Sequence, residues 1–337
     1  MIPNTTETHH WTEELKQAVS NPLELCQQLN INPQQLPGGI EGLKKGQQLF
    51  KTLVPQPFIK LMQQGNPQDP LLLQVLPLGA EGQAATGFVT DPLQENKYNP
   101  LPGLIHKYTS RVLLTTSGAC AVNCRYCFRR HFPYAQNSLS SSGGQAILDY
   151  LQKHPKVNEV IFSGGDPLAT PDKRLAARVK QLESLPQLKR LRIHTRLPVV
   201  IPSRINTEFL SWVAATRLKV MMVLHINHPQ EIGAELIQAL GLLKQAGVLL
   251  LNQSVLLKDI NDQANILAEL SEALFEQNIQ PYYLHTLDPV AGAAHFAIDD
   301  KKARQIYAEL LAELPGFLVP KLVREYPNQP AKTPLGW

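Results

Sequence analysis

Short apolar segments alternate with helical patterns over most of the chain, and this alternation constrains the fold more than any other feature. The helical patterns fall near residues 143–154, 172–185, 204–215, 231–246 and 262–277. The apolar segments are predicted to be buried β-strands at 111–116, 158–162, 189–194, 219–224, 248–255 and 280–285. Short apolar strands joined by helices form parallel βαβ units whose strands are buried on both faces. The pattern therefore predicts an α/β fold in which six such units form a partial, TIM-like (β/α)6 barrel.

The two ends of the chain differ from this middle part. Residues 1–100 carry helical patterns broken by proline and glycine, and we interpret them as an N-terminal helical region. Residues 101–290 form the predicted barrel core. Residues 291–337 contain a helical pattern near 299–314 and a short apolar stretch at 317–323, followed by a polar tail. We interpret them as a short C-terminal segment.

Charge and hydropathy argue against a nucleic-acid-binding, membrane-spanning or secreted protein. The net charge of +4 is small for 337 residues and is spread along the chain, which does not indicate a nucleic-acid partner. No apolar run approaches the roughly 20 residues needed to span a membrane, and the polar N-terminus has no signal-peptide core. Together with thiols that have no evident disulfide partner, these features predict a cytoplasmic protein in a reducing compartment.

Three of the four cysteines lie in one C-x3-C-x2-C run, on the loop that follows the first predicted strand: Cys120, Cys124 and Cys127. Three thiolates on one loop suit a cubane iron–sulfur cluster that keeps one iron free of protein ligand. A zinc site with His131 as the fourth ligand is the alternative. Disulfides are disfavoured because three clustered thiols leave one unpaired. Cys26 lies in an amphipathic helical pattern and is predicted to be a small buried apolar residue.

A second motif, Gly164-Gly165-Asp166, ends the next predicted strand. Glycines at such a place let the backbone approach a ligand closely. In parallel barrels the chemistry collects at the carboxyl ends of the strands, so this motif is expected beside the cysteine loop. The alternative is an ordinary strand-to-helix turn with Asp166 near a helix cap.

The cysteine spacing resembles the cluster loop of the radical S-adenosylmethionine enzymes, most of which share a partial barrel. A wider resemblance, over roughly residues 100–335, is to the lysine 2,3-aminomutases. It is carried by residues 103–108, 120–130, 163–167, 252–257, 260–262, 281–283 and 332–334. The resemblance implies an isomerase that converts L-α-lysine into β-lysine through a 5′-deoxyadenosyl radical. It implies three cofactors: a [4Fe-4S] cluster, S-adenosylmethionine and pyridoxal 5′-phosphate.

The same resemblance assigns cofactor-binding roles to single residues. The three clustered cysteines would hold the iron–sulfur cluster, and the Gly-Gly-Asp motif would contact the methionyl amino group of S-adenosylmethionine. Lys332 would bind pyridoxal phosphate as a Schiff base, with Lys107 and Arg111 near the cofactor phosphate. Without the resemblance, each of these three cationic residues would be interpreted as a surface side chain.

Three further residues would bind the substrate by resemblance. Arg129 would hold the substrate carboxylate in a fork, and Asp262 and Glu325 would hold the ε-ammonium through charge-assisted hydrogen bonds. Most lysine aminomutases have aspartate where this chain has Glu325. Asp262 could instead be the N-cap of the helix predicted at 262–277.

Within the family, the likeness is strongest to the aminomutases that act in β-lysylation of elongation factor P. It is carried by residues 124–134, residues 292–296 and the N-terminal helical region. This likeness implies functional links to elongation factor P and its lysyl ligase, and an external electron donor. The catabolic relatives continue past the residue that matches Lys332, with a segment that serves assembly and a zinc site. A mutase for free β-lysine and a non-enzymatic iron–sulfur or zinc module are the two alternative interpretations.

Overall fold

One nine-stranded β-sheet forms the centre of the protein in the computed structural model, which describes residues 10–137 and 143–335. The strands follow one another in the sheet in the same order as along the chain. They are β1 (Leu104–Tyr108), β2 (Arg111–Ser117), β3 (Glu159–Gly164), β4 (Arg190–Thr195), β5 (Lys219–Leu224), β6 (Leu249–Leu256), β7 (Ile279–Thr286), β8 (Lys321–Arg324) and β9 (Thr333–Pro334). Sequence neighbours are thus spatial neighbours, as successive βαβ units require.

Strands β2 to β8 are parallel, whereas β1 and β9 pair antiparallel with their neighbours at the two edges. The six predicted strands correspond to β2–β7, and each lies within two residues of its predicted bounds. The predicted α/β partial barrel is therefore confirmed. The described sheet is open, with β1 and β9 as its edge strands.

Helices precede the sheet and connect its parallel strands. The N-terminal region holds α1 (His10–Lys16), α2 (Pro22–Gln28), α3 (Gly39–Leu49), α4 (Gln56–Ile59) and α5 (Pro70–Leu73). The connections hold α6 (Gly144–Gln152), α7 (Asp172–Glu183), α8 (Leu197–Val200), α9 (Thr207–Ala215), α10 (Ala234–Gln245), α11 (Ala264–Glu276) and α12 (Asp300–Glu313). Each longer helix buries one apolar stripe. In α7 this stripe is Leu175, Val179 and Leu182, at the spacing that places side chains on one helix face.

Three strands of the sheet were not predicted from the sequence: β1, β8 and β9. Strand β1 contains the polar pair His106 and Lys107, and β9 has only two residues. Strand β8 occupies the end of the apolar stretch at 317–323 and pairs with β7. Segments this short or this polar become strands because a neighbouring strand supplies their hydrogen bonds, which local patterns do not report.

The N-terminal helical region packs into the same apolar core as the sheet. Leu25 and Phe58 of this region belong to one buried cluster with Phe162 and Ile193 of the strands. A second cluster lies under α11 and α12 and includes Ile306. The proposed divisions near residues 100 and 290 remain predictions. Within the described residues, no helix combines the length and the apolar character needed to cross a lipid bilayer.

Candidate active site

A cavity of about 730 Å³ opens at the carboxyl ends of the parallel strands. Its lining comes from the loop after β2, from the ends of β3 to β7 and from the C-terminal segment. Eleven of the twelve residues assigned to the site from the sequence lie among the described residues that line it: Lys107, Arg111, Cys120, Cys124, Cys127, Arg129, Gly164, Gly165, Asp166, Glu325 and Lys332. Asp262 does not line the cavity.

Cys120, Cys124 and Cys127 share this cavity, and all three are unpaired. Burial, together with the neighbouring thiols, raises the pKa of Cys120 well above its usual range and that of Cys127 to about 11. Thiols in this setting stay protonated unless a metal replaces the proton. Because three unpaired thiols share one cavity, the site suits a metal centre with thiolate ligands.

A cluster fits these residues better than a zinc knuckle does. In the described ranges, no three His, Cys, Asp or Glu side chains converge on a position for a single metal ion. The ring of His131 faces the carbonyl oxygen of Ala291, with its Nε2 atom 3.3 Å away. In a cubane cluster, by contrast, each thiolate binds a different iron, so the three sulfurs need not converge on one point.

The residues between the cysteines anchor their loop to the N-terminal region. Arg125 is 2% exposed and donates from Nε to Glu81 at 2.5 Å and from Nη1 to the carbonyl oxygen of Leu73 at 2.8 Å. Its Nη2 lies 3.0 Å from His295 Nε2 in the loop before α12. Removing one partner from a buried ion pair leaves the other charge uncompensated. The N-terminal region thus forms one wall of the cysteine loop.

The Gly-Gly-Asp motif packs directly against the cysteine loop. Gly164 has φ of 131°, and a Cβ atom there would lie 2.2 Å from the carbonyl oxygen of Ser117. A Cβ on Gly165 would lie 2.6 Å from the carbonyl oxygen of Ala119. Only glycine allows this close approach. The two glycines therefore bring the end of β3 onto the loop that carries the thiols.

Asp166 has a structural role in addition to its place in the cavity lining. Its Oδ1 accepts from Thr195 Oγ1 at 2.7 Å and from the backbone N–H of Leu168 at 3.0 Å. Its Oδ2 accepts from the backbone N–H groups of Arg196 and Leu197 at 2.8 and 2.9 Å. Asp166 therefore caps the turn after β3, as the alternative interpretation of this residue predicted, and its carboxylate also joins the ends of β3 and β4.

Glu325 lies between two lysines in the cavity. Its Oε2 accepts from Lys332 Nζ at 2.5 Å, and its Oε1 accepts from Lys107 Nζ at 2.7 Å and Tyr108 OH at 2.8 Å. Burial alone would raise the pKa of Glu325, but Lys332 and Lys107 outweigh it and hold the pKa well below its usual range. The antiparallel β8–β9 pair, in which Arg324 lies opposite Thr333, brings Lys332 to this carboxylate.

The two basic residues expected near a cofactor phosphate have different contacts. Lys107 is engaged by Glu325 and also lies 3.3 Å from the carbonyl oxygen of Tyr326. The guanidinium of Arg111 stacks on the Tyr108 ring, with Cζ 3.9 Å from the ring centroid. Of the two, Arg111 is the better placed to present N–H groups to an anion in the cavity.

Asp262 is not part of the cavity, which corrects the expectation that it joins Glu325. Its carboxylate accepts from the backbone N–H of Asp259 at 3.1 Å, within the loop before α11. The N-cap alternative is not found either, because α11 begins at Ala264 with Gln263 at the N-cap position. Asp262 therefore organises a loop outside the site.

Asp288 is the acid that the structure places in the cavity with Glu325, and the sequence interpretation missed it. Its Oδ1 is buried without a hydrogen-bond partner among the described residues. Burial raises the pKa of Asp288 to about 7, against the opposing effect of Lys332. The signal available in the sequence was its position just after the strand predicted at 280–285, where the carboxyl ends of parallel strands carry functional groups.

Arg129 is buried at the cavity wall. Its Nε and Nη2 donate to the two carboxylate oxygens of Glu95 at 2.8 and 2.7 Å, and its Nη1 donates to Ser163 Oγ at 2.8 Å. These contacts use three of the five N–H groups of a guanidinium. Glu95 thus fixes the orientation of Arg129 and leaves donor capacity for a second anion.

Three histidines at the carboxyl ends of β4, β5 and β7 also line the cavity and were not singled out from the sequence: His194, His225 and His285. Burial lowers the pKa of each, so all three are neutral at physiological pH. The Nε2 atoms of His194 and His285 are buried without a partner among the described residues. Buried polar atoms usually have a hydrogen-bond partner, so these two nitrogens are available to bind a polar ligand in the cavity.

This fold and this three-cysteine cavity define a radical S-adenosylmethionine protein, and a family model of the radical SAM superfamily matches residues 114–270. L-lysine 2,3-aminomutase from Escherichia coli K12 is 50% identical over 98% of this chain and 96% of its own length. The Haemophilus influenzae enzyme of the same name is 51% identical over 98% of this chain and 97% of its own length. That of Clostridium subterminale is 32% identical, over 96% and 77%.

The chain belongs to the L-lysine 2,3-aminomutase family. Membership implies a [4Fe-4S] cluster, S-adenosylmethionine and pyridoxal phosphate as its cofactors. Among solved structures, a radical SAM methyltransferase from Sphaerobacter thermophilus is similar with a TM-score of 0.48 and 16% identity, covering 66% of this chain and 68% of its own.

We predict that replacing Cys120, Cys124 or Cys127 by alanine removes the cluster, whereas Cys26→Ala leaves it intact. Three thiolates are the minimum for a cubane with one open iron, and Cys26 lies in the apolar core. Iron content and the electron spin resonance of the reduced protein, measured after anaerobic purification, test this. Full iron loading in any of the three loop variants would refute the assignment.

Proposed function

We propose that the protein is an isomerase, an L-lysine 2,3-aminomutase that converts L-α-lysine into β-lysine. The observation that carries the proposal is the arrangement in which Lys332 contacts Glu325 in the same cavity as the three clustered cysteines. A lone metal-binding module would have no use for a half-buried lysine–carboxylate pair in the cavity that holds its thiols. Family membership supports the same reaction.

The chain's own residues supply the places for the cofactors. Cys120, Cys124 and Cys127 would hold the cluster, and the backbone of Gly164 and Gly165 would contact S-adenosylmethionine. Lys332 carries pyridoxal phosphate on its ε-amino group, and Arg111 is the nearer candidate for the phosphate. Bound together, these groups supply the radical chemistry through which an amino group moves between adjacent carbons.

Glu325 and Asp288 form the proposed site for the substrate's ε-ammonium. The cation that Glu325 already binds in this structure is a lysine ammonium, the group that a lysine substrate also carries. Lys107 and Tyr108 hold Oε1 of Glu325, whereas Oε2 binds the Lys332 ammonium and becomes available when Lys332 bonds to the cofactor. Asp288 supplies a second carboxylate whose Oδ1 has no partner among the described residues. An ammonium placed between them forms charge-assisted hydrogen bonds.

Arg129 is the proposed anchor for the substrate carboxylate in the same cavity. Its orientation is set by Glu95, so binding a second carboxylate requires no reorganisation of the guanidinium. Anchoring both ends of lysine fixes which carbons lie next to the cofactors. A substrate without the terminal ammonium would leave Glu325 and Asp288 unpaired.

We propose further that the β-lysine formed serves the modification of elongation factor P, with its lysyl ligase as the next enzyme and an external electron donor in the reducing cytoplasm. The likeness of residues 124–134 and 292–296 to that group supports this. Deleting the gene should remove the β-lysyl mass from elongation factor P, and added β-lysine should restore it. Unchanged modification in the deletion strain would point to a free β-lysine pool instead.

Lys332→Ala should abolish covalent attachment of pyridoxal phosphate, because the ε-amino group is the only part of the residue that can bond to the cofactor. Borohydride reduction of the parent protein with added pyridoxal phosphate should place the label on the peptide that contains Lys332. Peptide mass spectrometry measures this. Label on Lys107, the neighbouring lysine of the same cavity, would overturn the assignment.

Glu325→Gln and Asp288→Asn should each lower kcat/KM for lysine about thirtyfold or more. Truncating one partner of a sheltered, hydrogen-bonded charge pair costs about 2–5 kcal/mol, and each 1.4 kcal/mol is about tenfold in rate. Product formation by the reduced enzyme with S-adenosylmethionine, pyridoxal phosphate and lysine measures this. Iron and pyridoxal phosphate contents should match those of the parent.

Asp262→Asn is the matched control, because the structure places this acid outside the cavity, and it should keep parental kcat/KM. The parent should also reject norleucine, which lacks the terminal ammonium. Efficient rearrangement of norleucine, or equal losses in the Asp262 and Asp288 variants, would contradict the proposed ammonium site.

A further inference from the structure

The side chain of Arg196 contacts one of the three clustered cysteines directly. Arg196 follows β4, and its Nη1 atom lies 2.9 Å from Cys124 Sγ and 2.6 Å from Tyr126 OH. The residue is 5% exposed. Its backbone N–H donates to Asp166, the acid that joins the ends of β3 and β4. The contact with sulfur therefore starts from a backbone position that is itself held in place.

The far side of the same guanidinium is held by groups from two other parts of the chain. Its Nη2 donates to Glu231 Oε2 at 2.9 Å and to Gln74 Oε1 at 2.7 Å. Both partners are fully buried. Glu231 is fixed in turn, since its Oε1 accepts from the backbone N–H of Asn227 at 2.9 Å. The ring of Phe58 lies against the guanidinium, 5.3 Å from Cζ to the ring centroid.

This arrangement is more than a buried ion pair. Glu231 alone would neutralise the charge of Arg196, yet the fork is oriented so that one nitrogen faces the carboxylate and the other faces the sulfur. An arginine fork is planar, so fixing one nitrogen fixes the direction of the other. Gln74 and Glu231 are thus positioning residues for the contact with Cys124.

We propose that Arg196 donates a charge-assisted hydrogen bond to the Cys124 thiolate in the loaded enzyme and thereby raises the reduction potential of the cluster. Reduction adds negative charge to the cluster and its thiolates, and a buried cation with an N–H on sulfur stabilises that reduced form. Hydrogen bonds to the sulfurs and local charge are recognised determinants of cluster potential. The inference rests on the proposed cluster ligands and deepens the proposed function, because the potential decides which electron donor can reduce the enzyme.

The test compares two double variants that each remove one buried ion pair without changing the net charge. Arg196→Gln/Glu231→Gln removes the pair that touches Cys124. Arg204→Gln/Asp172→Asn removes a pair that is equally buried, with side chains 0% and 5% exposed, and whose residues do not line the cavity. The holoenzymes are reconstituted anaerobically, and their iron and sulfide contents are measured. Each is then titrated with reductant and followed by electron spin resonance.

We expect the Arg196/Glu231 variant to disfavour cluster reduction about tenfold or more, a shift of about 59 mV to more negative potential for one electron. The Arg204/Asp172 variant should titrate as the parent does. Arg196→Lys keeps the charge on a shorter, unforked side chain and should shift the potential in the same direction by a smaller amount. A parental potential in either fully loaded Arg196 variant would overturn the proposal.

Two other outcomes are decisive as well. If neither Arg196 variant binds iron while the Arg204/Asp172 control does, Arg196 serves assembly of the cluster site and the proposal on potential is wrong. Turnover of lysine by the parent is measured separately. A shifted potential in an enzyme that forms no β-lysine would support this inference and refute the proposed function.

Discussion

The parallel pairing of β2 to β8 is the constraint on which the rest of the structure depends. Parallel hydrogen bonding carries the carboxyl ends of seven strands to one edge of the sheet, so loops far apart in sequence meet there. The cysteine loop follows β2, the Gly-Gly-Asp motif ends β3, and Asp288 follows β7. One cavity can therefore hold the three thiols, Lys332 and the carboxylates of Glu325 and Asp288, because strands β2 to β8 run in the same direction.

Buried charges around the cavity are organised as pairs that orient arginines. Arg125, Arg129 and Arg196 are each held by a carboxylate, from Glu81, Glu95 and Glu231 respectively. Burying a charge is costly unless it is paired and hydrogen-bonded. Two of these acids belong to the N-terminal region, which is why that region packs as one core with the sheet instead of standing apart. Its helices form part of the wall that holds the cysteine loop.

Local patterns predicted β2 to β7 well because most of these strands are short apolar runs followed by a helical pattern. The same logic failed for β1, β8 and β9, whose pairing depends on a neighbour and not on their own composition. Local patterns also did not distinguish the acid that lines the cavity from one that does not. Asp262 follows the strand predicted at 248–255 and Asp288 follows the one at 280–285, and both are acids in loops after strands. Only the packed structure shows which of the two carboxylates points into the cavity.

The sequence by itself determined the fold class and pointed to three clustered thiols and Lys332 as candidate site residues, because these depend on residue type, short spacing and family resemblance. The tertiary structure decided how the remaining groups are used. It engages Lys107 with Glu325, turns Asp166 toward the end of β4, places Asp288 but not Asp262 at the cavity and brings Arg196 to Cys124. These contacts join residues up to 218 positions apart. Their partners are chosen by packing and by the need to neutralise buried charge, and neither is encoded in any local pattern.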